Sequence, residues 1–310
     1  MRNKRIIVSI VKIQSHLDAT GQIFLSEMMN NSPAEASLNI MGAMEEPEMI
    51  GYLSTLVYLS PSYLFKAFDL YENEKEVLKI ATYQPFLVGY HVCFQTPNNY
   101  IIAMDYACGG DLDNLIKYLG RIPEESAKFY VAEMVLGVSF LHSKGIIHRD
   151  LKPENVMLDQ DSHIRITDYG LCKRDFSYGE KIKERVGTLD YVAPEIWLGK
   201  SYDFRVDIWA LGVTMYKMLT GRKPFDLPLK RNPWQRLIGK KAIVRIPDSI
   251  SDEACQVLQK FLAKKMKNRL GSNPSTTIHS IASLRFFSSI DWKLLEARRV
   301  QPPYKPILPP

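Results

Sequence analysis

The chain has 310 residues, 46% apolar and 24% charged, enough apolar material for one large core or two modest ones. Its net charge of +6 is scattered over short clusters such as Lys264-Lys265 with Lys267, and Lys240-Lys241, which read as solvated helix faces. No zinc-finger, basic-zipper or aromatic RNA-binding motif accompanies them, so no nucleic-acid partner is expected, although weak contact with acidic lipid stays open.

No run reaches the ~18 apolar residues of a membrane span. Cys93, Cys108, Cys172 and Cys255 are widely spaced with no Cys-x-x-Cys pair, which fits a reducing compartment, cytoplasmic or nuclear. From the amino end, residues 6–13 and 22–25 have strand-like composition around a turn signal at Asp18–Gly21. The basic start resembles a secretory leader only faintly, because Lys12 interrupts the apolar run and no small-residue cleavage site follows. Residues 30–33 and 45–48 read as loops. Residues 71–78 carry helix formers with Leu70, Val77 and Leu78 on one side, predicting a short amphipathic helix. Pro85-Phe86-Leu87-Val88 is expected to end that helix and open a strand, with Tyr100-Ile101-Ile102-Ala103-Met104 as the next strand. Residues 111–119 and 124–143 read as helices, the second with Pro123 where a first turn tolerates it. Val156-Met157-Leu158 and Ile164-Arg165-Ile166 alternate as a hairpin.

The stretch His148-Arg149-Asp150-Leu151-Lys152-Pro153-Glu154-Asn155 gathers the charges that phosphoryl transfer needs. Asp150 is the candidate carboxylate for the attacking hydroxyl, Lys152 the cation near the transferring phosphate, and Asn155 an oxygen ligand for magnesium. Asp168 in Asp168-Tyr169-Gly170, beyond the hairpin, would be the second metal ligand. These motifs resemble the catalytic and metal-binding loops of eukaryotic protein kinases. Gly187-Thr188-Leu189-Asp190-Tyr191-Val192-Ala193-Pro194-Glu195 resembles the end of the activation segment, and Asp207-Ile208-Trp209-Ala210-Leu211-Gly212 the helix whose aspartate braces the catalytic loop. The order and spacing are most similar to the AGC group, especially protein kinases C and N.

The resemblance implies an α+β, bilobal protein-kinase fold with an incomplete small lobe. Residues 1–51 would be an N-terminal segment, weakly similar to the end of a C2-like domain. Residues 52–287 would be the kinase domain, divided into 52–105 and 106–287, and 288–310 a partial AGC carboxy-terminal tail with a proline-rich strap. It further implies Mg-ATP as cofactor, Ser/Thr hydroxyls of protein substrates as acceptors, regulatory proteins as possible partners, and a monomer. Thr188 would hydrogen-bond Asp150, Glu195 would pair with Arg269, and His148 would join Leu78, Tyr90 and Tyr169 in a regulatory spine. Glu74 would be the helix αC glutamate and Met104 the gatekeeper. Asp105, Ala107 and Met157 would meet the nucleotide, Asp111 the ribose or a basic substrate residue, and Glu154 and Asp190 the substrate.

The chain departs from the family in three places. Upstream of Glu74 there is no Gly-x-Gly-x-x-Gly loop and no lysine in a Val-Ala-x-Lys context; Lys66 is the nearest cation. Lost small-lobe exons would account for this, and so would a very slow kinase or a pseudokinase scaffold that docks partners on its large lobe. Glu184 stands where the family carries its activating phosphothreonine, and is expected to pair with Arg149 and Lys173 with a single negative charge. Lys217 stands where basophilic relatives carry an acid, implying a weakened preference for arginine near the acceptor.

Overall fold

A computed structural model of the chain describes residues 6–11, 61–95, 100–225, 246–271 and 273–304. They fall into two compact units, one within 1–83 and 88–106 and the other within 84–87 and 107–310. The turn signal at 18–21, the strand expected at 22–25 and the loops at 30–33 and 45–48 lie outside the described residues.

The smaller unit holds β1 (Ile6–Val11), α1 (Pro61–Ala81), β2 (Tyr90–Gln95) and β3 (Tyr100–Asp105). The strands form an antiparallel sheet in the order β1-β3-β2, with Ile6 opposite Asp105, Val11 opposite Tyr100, and an irregularity between Tyr90 and Val92. Helix α1 is longer than the expected 71–78: proline suits a first helical turn at Pro61, and Tyr71, Glu74, Val77, Leu78 and Ala81 form its buried stripe at helical spacing. Thr82 stops the helix. Its hydroxyl donates to Leu78 O at 3.0 Å and accepts from Tyr90 N at 2.9 Å. The strand expected to open at 85–88 begins instead at Tyr90, as β2. Within the larger unit Gln84 Oε1 accepts from Phe86 N at 3.3 Å and Gln84 O from Leu87 N at 3.1 Å, so the run closes into a turn. Phe86 and Leu87 are buried there, and Leu87 makes only an isolated bridge to Ile166.

The larger unit begins with α2 (Leu112–Leu119) and α3 (Glu124–Ser143), and the expected hairpin follows as β4 (Val156–Leu158) and β5 (Ile164–Ile166). After them come α4 (Pro194–Trp197), α5 (Arg205–Thr220), α6 (Asp252–Phe261), α7 (Pro274–Ala282) and α8 (Trp292–Glu296). Helices α3 and α5 are buried almost all round, as expected of helices at the centre of a helical layer. Their polar residues therefore need partners. Glu133 of α3 finds His163 Nδ1 at 2.5 Å and Ile164 N at 3.0 Å, which ties the hairpin to the helix. Burial pushes the Glu133 carboxyl up despite these donors.

The carboxy-terminal part packs differently from a plain extended strap. Asp291 caps α8 by accepting from Lys293 N and Leu294 N at 3.1 and 3.0 Å, and Leu295 is buried. Arg298 then reaches Asp159 at 2.5 Å, fixing the tail to the turn of the hairpin. The sequence hides so short a helix because the Asp291 cap, not composition, starts it.

Glu195 of α4 and Arg269 form a buried forked pair at 2.6 and 3.1 Å. Arg269 also donates to the carbonyls of Ala263 and Arg205 and lies 5.0 Å over the Trp209 ring. Glu195→Ala leaves this guanidinium buried with no counter-charge. It is expected to cost about 3–5 kcal/mol in urea unfolding, and Glu195→Leu combined with Arg269→Met to recover most of that.

Candidate active site

The segment 148–155 is held from below by one carboxylate. Asp207, fully buried in α5, accepts from His148 N and His142 Nε2, each at 2.8 Å, and from Arg149 N at 2.9 Å. Burial raises the Asp207 carboxyl, but hydrogen bonding to His142 and the charge field of the two histidines outweigh it and hold the group below the usual range. The brace has a steric task as well. Arg149 sits at φ 68°, a left-handed conformation that costs a non-glycine residue on the order of 1 kcal/mol or more. Locking both flanking N–H groups makes that conformation the stable one.

Beyond this turn the side chains converge. Asp150, 4% exposed, accepts from Thr188 N and Oγ1 at 2.8 and 2.6 Å through Oδ1. Its Oδ2 lies 3.1 Å from Lys152 Nζ and 3.3 Å from Asn155 Nδ2. Lys152 Nζ also donates to Thr188 Oγ1 at 2.9 Å. Asn155 Nδ2 meets Asp150 O at 3.0 Å and Asp168 Oδ2 at 3.1 Å. Asp150, Lys152 and Asn155 of one segment thus share a single network with Asp168 and Thr188 from two others. Gly187 permits it: at φ 101°, a Cβ there would stand 2.5 Å from Arg149 O.

Asp168 is the uncomfortable member. It sits at φ 66°, and its buried Oδ1 has no hydrogen-bond partner among the described residues. Burial, then the charge of Asp150, push its carboxyl up. An unsatisfied buried oxygen beside a second carboxylate and an amide is a donor set suited to a hard divalent cation. Asp168 and Asn155 would hold magnesium, with the Asn155 amide turning its oxygen to the ion. Tyr169 next to it donates to Ile166 O at 2.7 Å, and its ring meets His148 edge-on at 5.7 Å.

The remaining expected residues divide between the units. Glu74, buried in α1, and Asp105 at the end of β3 belong to the smaller one. Asp105 accepts from Gly89 N at 3.0 Å and meets His91 Nε2 at 2.9 Å. In the larger unit, Gly109 N donates to Leu158 O at 2.7 Å, Leu158 N to Gly110 O at 2.8 Å, and Asp111 bridges Met157. These bonds stitch the stretch after Ala107 to β4. Asp111 is occupied as the cap of α2, accepting from Asn114 N at 2.8 Å and Asn114 Nδ2 at 2.7 Å. Glu184 meets Arg149 at 2.5 Å, whereas Lys173 is tied through its backbone to Ile147. Composition hid three contributors: His142 behind Asp207, Tyr202 beside Arg149 at 3.4 Å, and Asp113 beneath Lys217. Only the odd lysine at 217 marked the last.

The protein kinase domain family model matches residues 64–287. The chain is 46% identical over 248 residues to atypical protein kinase C of Drosophila melanogaster, covering 77% of this chain and 41% of that protein. It is 45% identical over 246 residues to protein kinase C zeta type of Oryctolagus cuniculus, with the same shares. Over 234 residues it is 38% identical to protein kinase C eta type of Homo sapiens, covering 76% of this chain and 34% of that protein. The chain thus spans about two fifths or less of the length of these curated relatives.

The raised Asp168 carboxyl sets a sign for its effect on stability. The native protein keeps this proton over a range where the unfolded chain has released it, so the contribution of Asp168 to stability falls as pH rises through that range. Asp168→Asn is expected to raise the melting temperature in EDTA near neutral pH by about 2–4 °C, on the order of 1 kcal/mol for a domain of this size. It should also flatten the decline with pH, and differential scanning calorimetry across pH 4–8 reads both effects.

Proposed function

This chain belongs to the protein kinase domain family, and from that premise we propose that it moves the γ-phosphate of Mg-ATP to Ser or Thr hydroxyls of protein substrates, as an AGC-type kinase. The observation that carries the reading is the single network of Asp150, Thr188, Lys152, Asn155 and Asp168. Thr188 occupies Oδ1 of Asp150, and Oδ2, which faces Lys152 and Asn155, accepts the hydrogen bond of an incoming hydroxyl and aims its oxygen at the phosphorus. Lys152, within hydrogen-bond reach of both Asp150 and Thr188, supplies positive charge where the transferring phosphoryl group becomes more anionic. Magnesium, held by Asp168 and Asn155, would offset phosphate charge and orient the terminal group. The Lys-Pro-Glu after Asp150 is similar to the Ser/Thr class of the family and supports hydroxyl acceptors of that type.

Two local features bear on rate and control. No Gly-x-Gly-x-x-Gly loop and no strand-borne lysine precede Glu74 in the sequence. Lys66 and Glu74 lie on the same helix, separated by ~12 Å along its axis at the standard rise per residue. A missing phosphate-gripping cation removes on the order of 3 kcal/mol of transition-state stabilisation, a hundredfold or more in rate. This is the observation favouring the second reading, a nucleotide-poor scaffold that docks partners through the larger unit. The Glu184–Arg149 pair in turn supports an activation segment held without phosphorylation.

Phosphotransfer from Mg-ATP to a Ser/Thr peptide mixture, wild type against Asp150→Asn, tests the reading. Loss of at least a hundredfold in the variant is expected, with its Mg-ATP thermal stabilisation retained. Equal incorporation by both proteins would refute it, and wild type without stabilisation or turnover would favour the scaffold. Glu184→Ala is expected to lower turnover about two- to fivefold and to increase hydrogen exchange in residues 174–187, because an exposed pair contributes at most about 1 kcal/mol.

A further inference from the structure

Resting on the kinase reading, one cluster beside the network has no part in the chemistry. Tyr191 and Val192 close the turn begun at Thr188, donating to Thr188 O at 2.9 and 3.2 Å, so this turn and Asp150 share the same threonine. Burial pushes the Tyr191 phenol strongly up, and the charges of Glu154, Asp113 and Asp190, followed by that of Asp150, add to it. Three carboxylates flanking the point where an acceptor segment meets Asp150 would attract cationic side chains.

The charges are already matched from within the chain. Lys217, 8% exposed in α5, pairs with Asp113, donates to the Tyr191 hydroxyl at 3.2 Å and stands 3.9 Å from Glu154. Lys117 meets the other oxygen of Asp113 at 2.8 Å, and Lys223 pairs with Asp190. Lys217 and Lys223 also lie 5.9 and 6.0 Å over the Tyr191 ring, one buried and one at the surface. Asp113 thus meets two lysines, Asp190 meets Lys223, and Glu154 has Lys217 at 3.9 Å, so each of the three acids has a lysine of the same chain within ion-pair range. An arginine from a substrate would have to displace a built-in lysine, gaining one ion pair while losing another.

We propose that Lys217 and Lys223 are specificity-determining residues that neutralise the acceptor side of the site, so that the chain takes acceptor segments with uncharged flanks and gains nothing from arginine beside the acceptor. Neither touches the reacting atoms. Each acts by occupying a carboxylate that a basic substrate would otherwise use.

The test is binding of two fluorescent peptides by anisotropy, which needs no turnover. They carry the same serine, one with arginines on both sides and one with alanines. Wild type is expected to bind them within about twofold of each other at physiological salt. Lys223→Ala removes an exposed side chain and frees the half-buried Asp190 with little risk to folding, and should shift the ratio of dissociation constants about threefold toward the arginine peptide. Lys217→Met, which keeps the apolar stem, should shift it about tenfold, its melting curve showing that the fold is intact. A tenfold or greater arginine preference in wild type, or an unchanged ratio in Lys223→Ala, would overturn the proposal. Loss of phosphotransfer with these binding ratios intact would instead count against the kinase reading alone.

Discussion

Everything at the candidate site depends on three N–H groups converging on the carboxylate of Asp207. They come from His148, Arg149 and His142, and they meet the acid in an interior closed to water. A buried carboxylate satisfied by fewer donors would take up a proton or draw in water. Satisfied as it is, it forces Arg149 into a left-handed turn that the backbone would otherwise avoid. That turn carries the direction of the chain from Ile147 into Asp150, and the positions of Lys152 and Asn155 follow. The energy of the brace is thus turned into orientation, which is what a reaction with little covalent chemistry demands.

Around that turn the acids are treated in opposite ways. Asp207 and Glu195 are fully met by donors and hold the fold together. Asp168 is buried with an oxygen unmet and a like charge nearby, a local cost of the kind that accumulates where a ligand is to be held. The acids around Tyr191 are met by lysines of the same chain, which quiets a surface that would otherwise seek cations. The same residue type therefore serves as brace, unsatisfied ligand or neutralised lining, according to which donors the fold delivers.

Much of the larger unit was legible because its elements announce themselves locally. The helix at 124–143 has an apolar run and a proline at its entry, and the hairpin has strict alternation, so both appear where the sequence puts them. The family motifs were equally legible, since His148 to Asn155 and Asp168-Tyr169-Gly170 combine residue types and spacings that few other structures need. The failures were also local. Pro85 to Val88 has strand composition, yet the Gln84 side chain and carbonyl capture the next two N–H groups and make a turn. Helix α1 extends back to Pro61 through residues whose apolar spacing is weak, and α8 is a single short turn that starts at an aspartate cap.

From its sequence alone the chain established the kind of chemistry it is equipped for: an acid, a lysine, an asparagine and a second acid at family spacing, and the absence of a glycine-rich loop and its lysine before Glu74. Those are properties of identity and order, and no packing is needed to read them. Which groups meet was decided only by tertiary structure. That Thr188 takes one oxygen of Asp150, that Asp168 keeps an oxygen bare, that Glu184 finds Arg149 while Lys173 does not, and that Lys217 lies over Asp113 all join residues far apart in the chain. Hydrogen bonds and ion pairs act over a few ångströms, and sequence separation carries no information at that scale until helices and loops have folded around a common core.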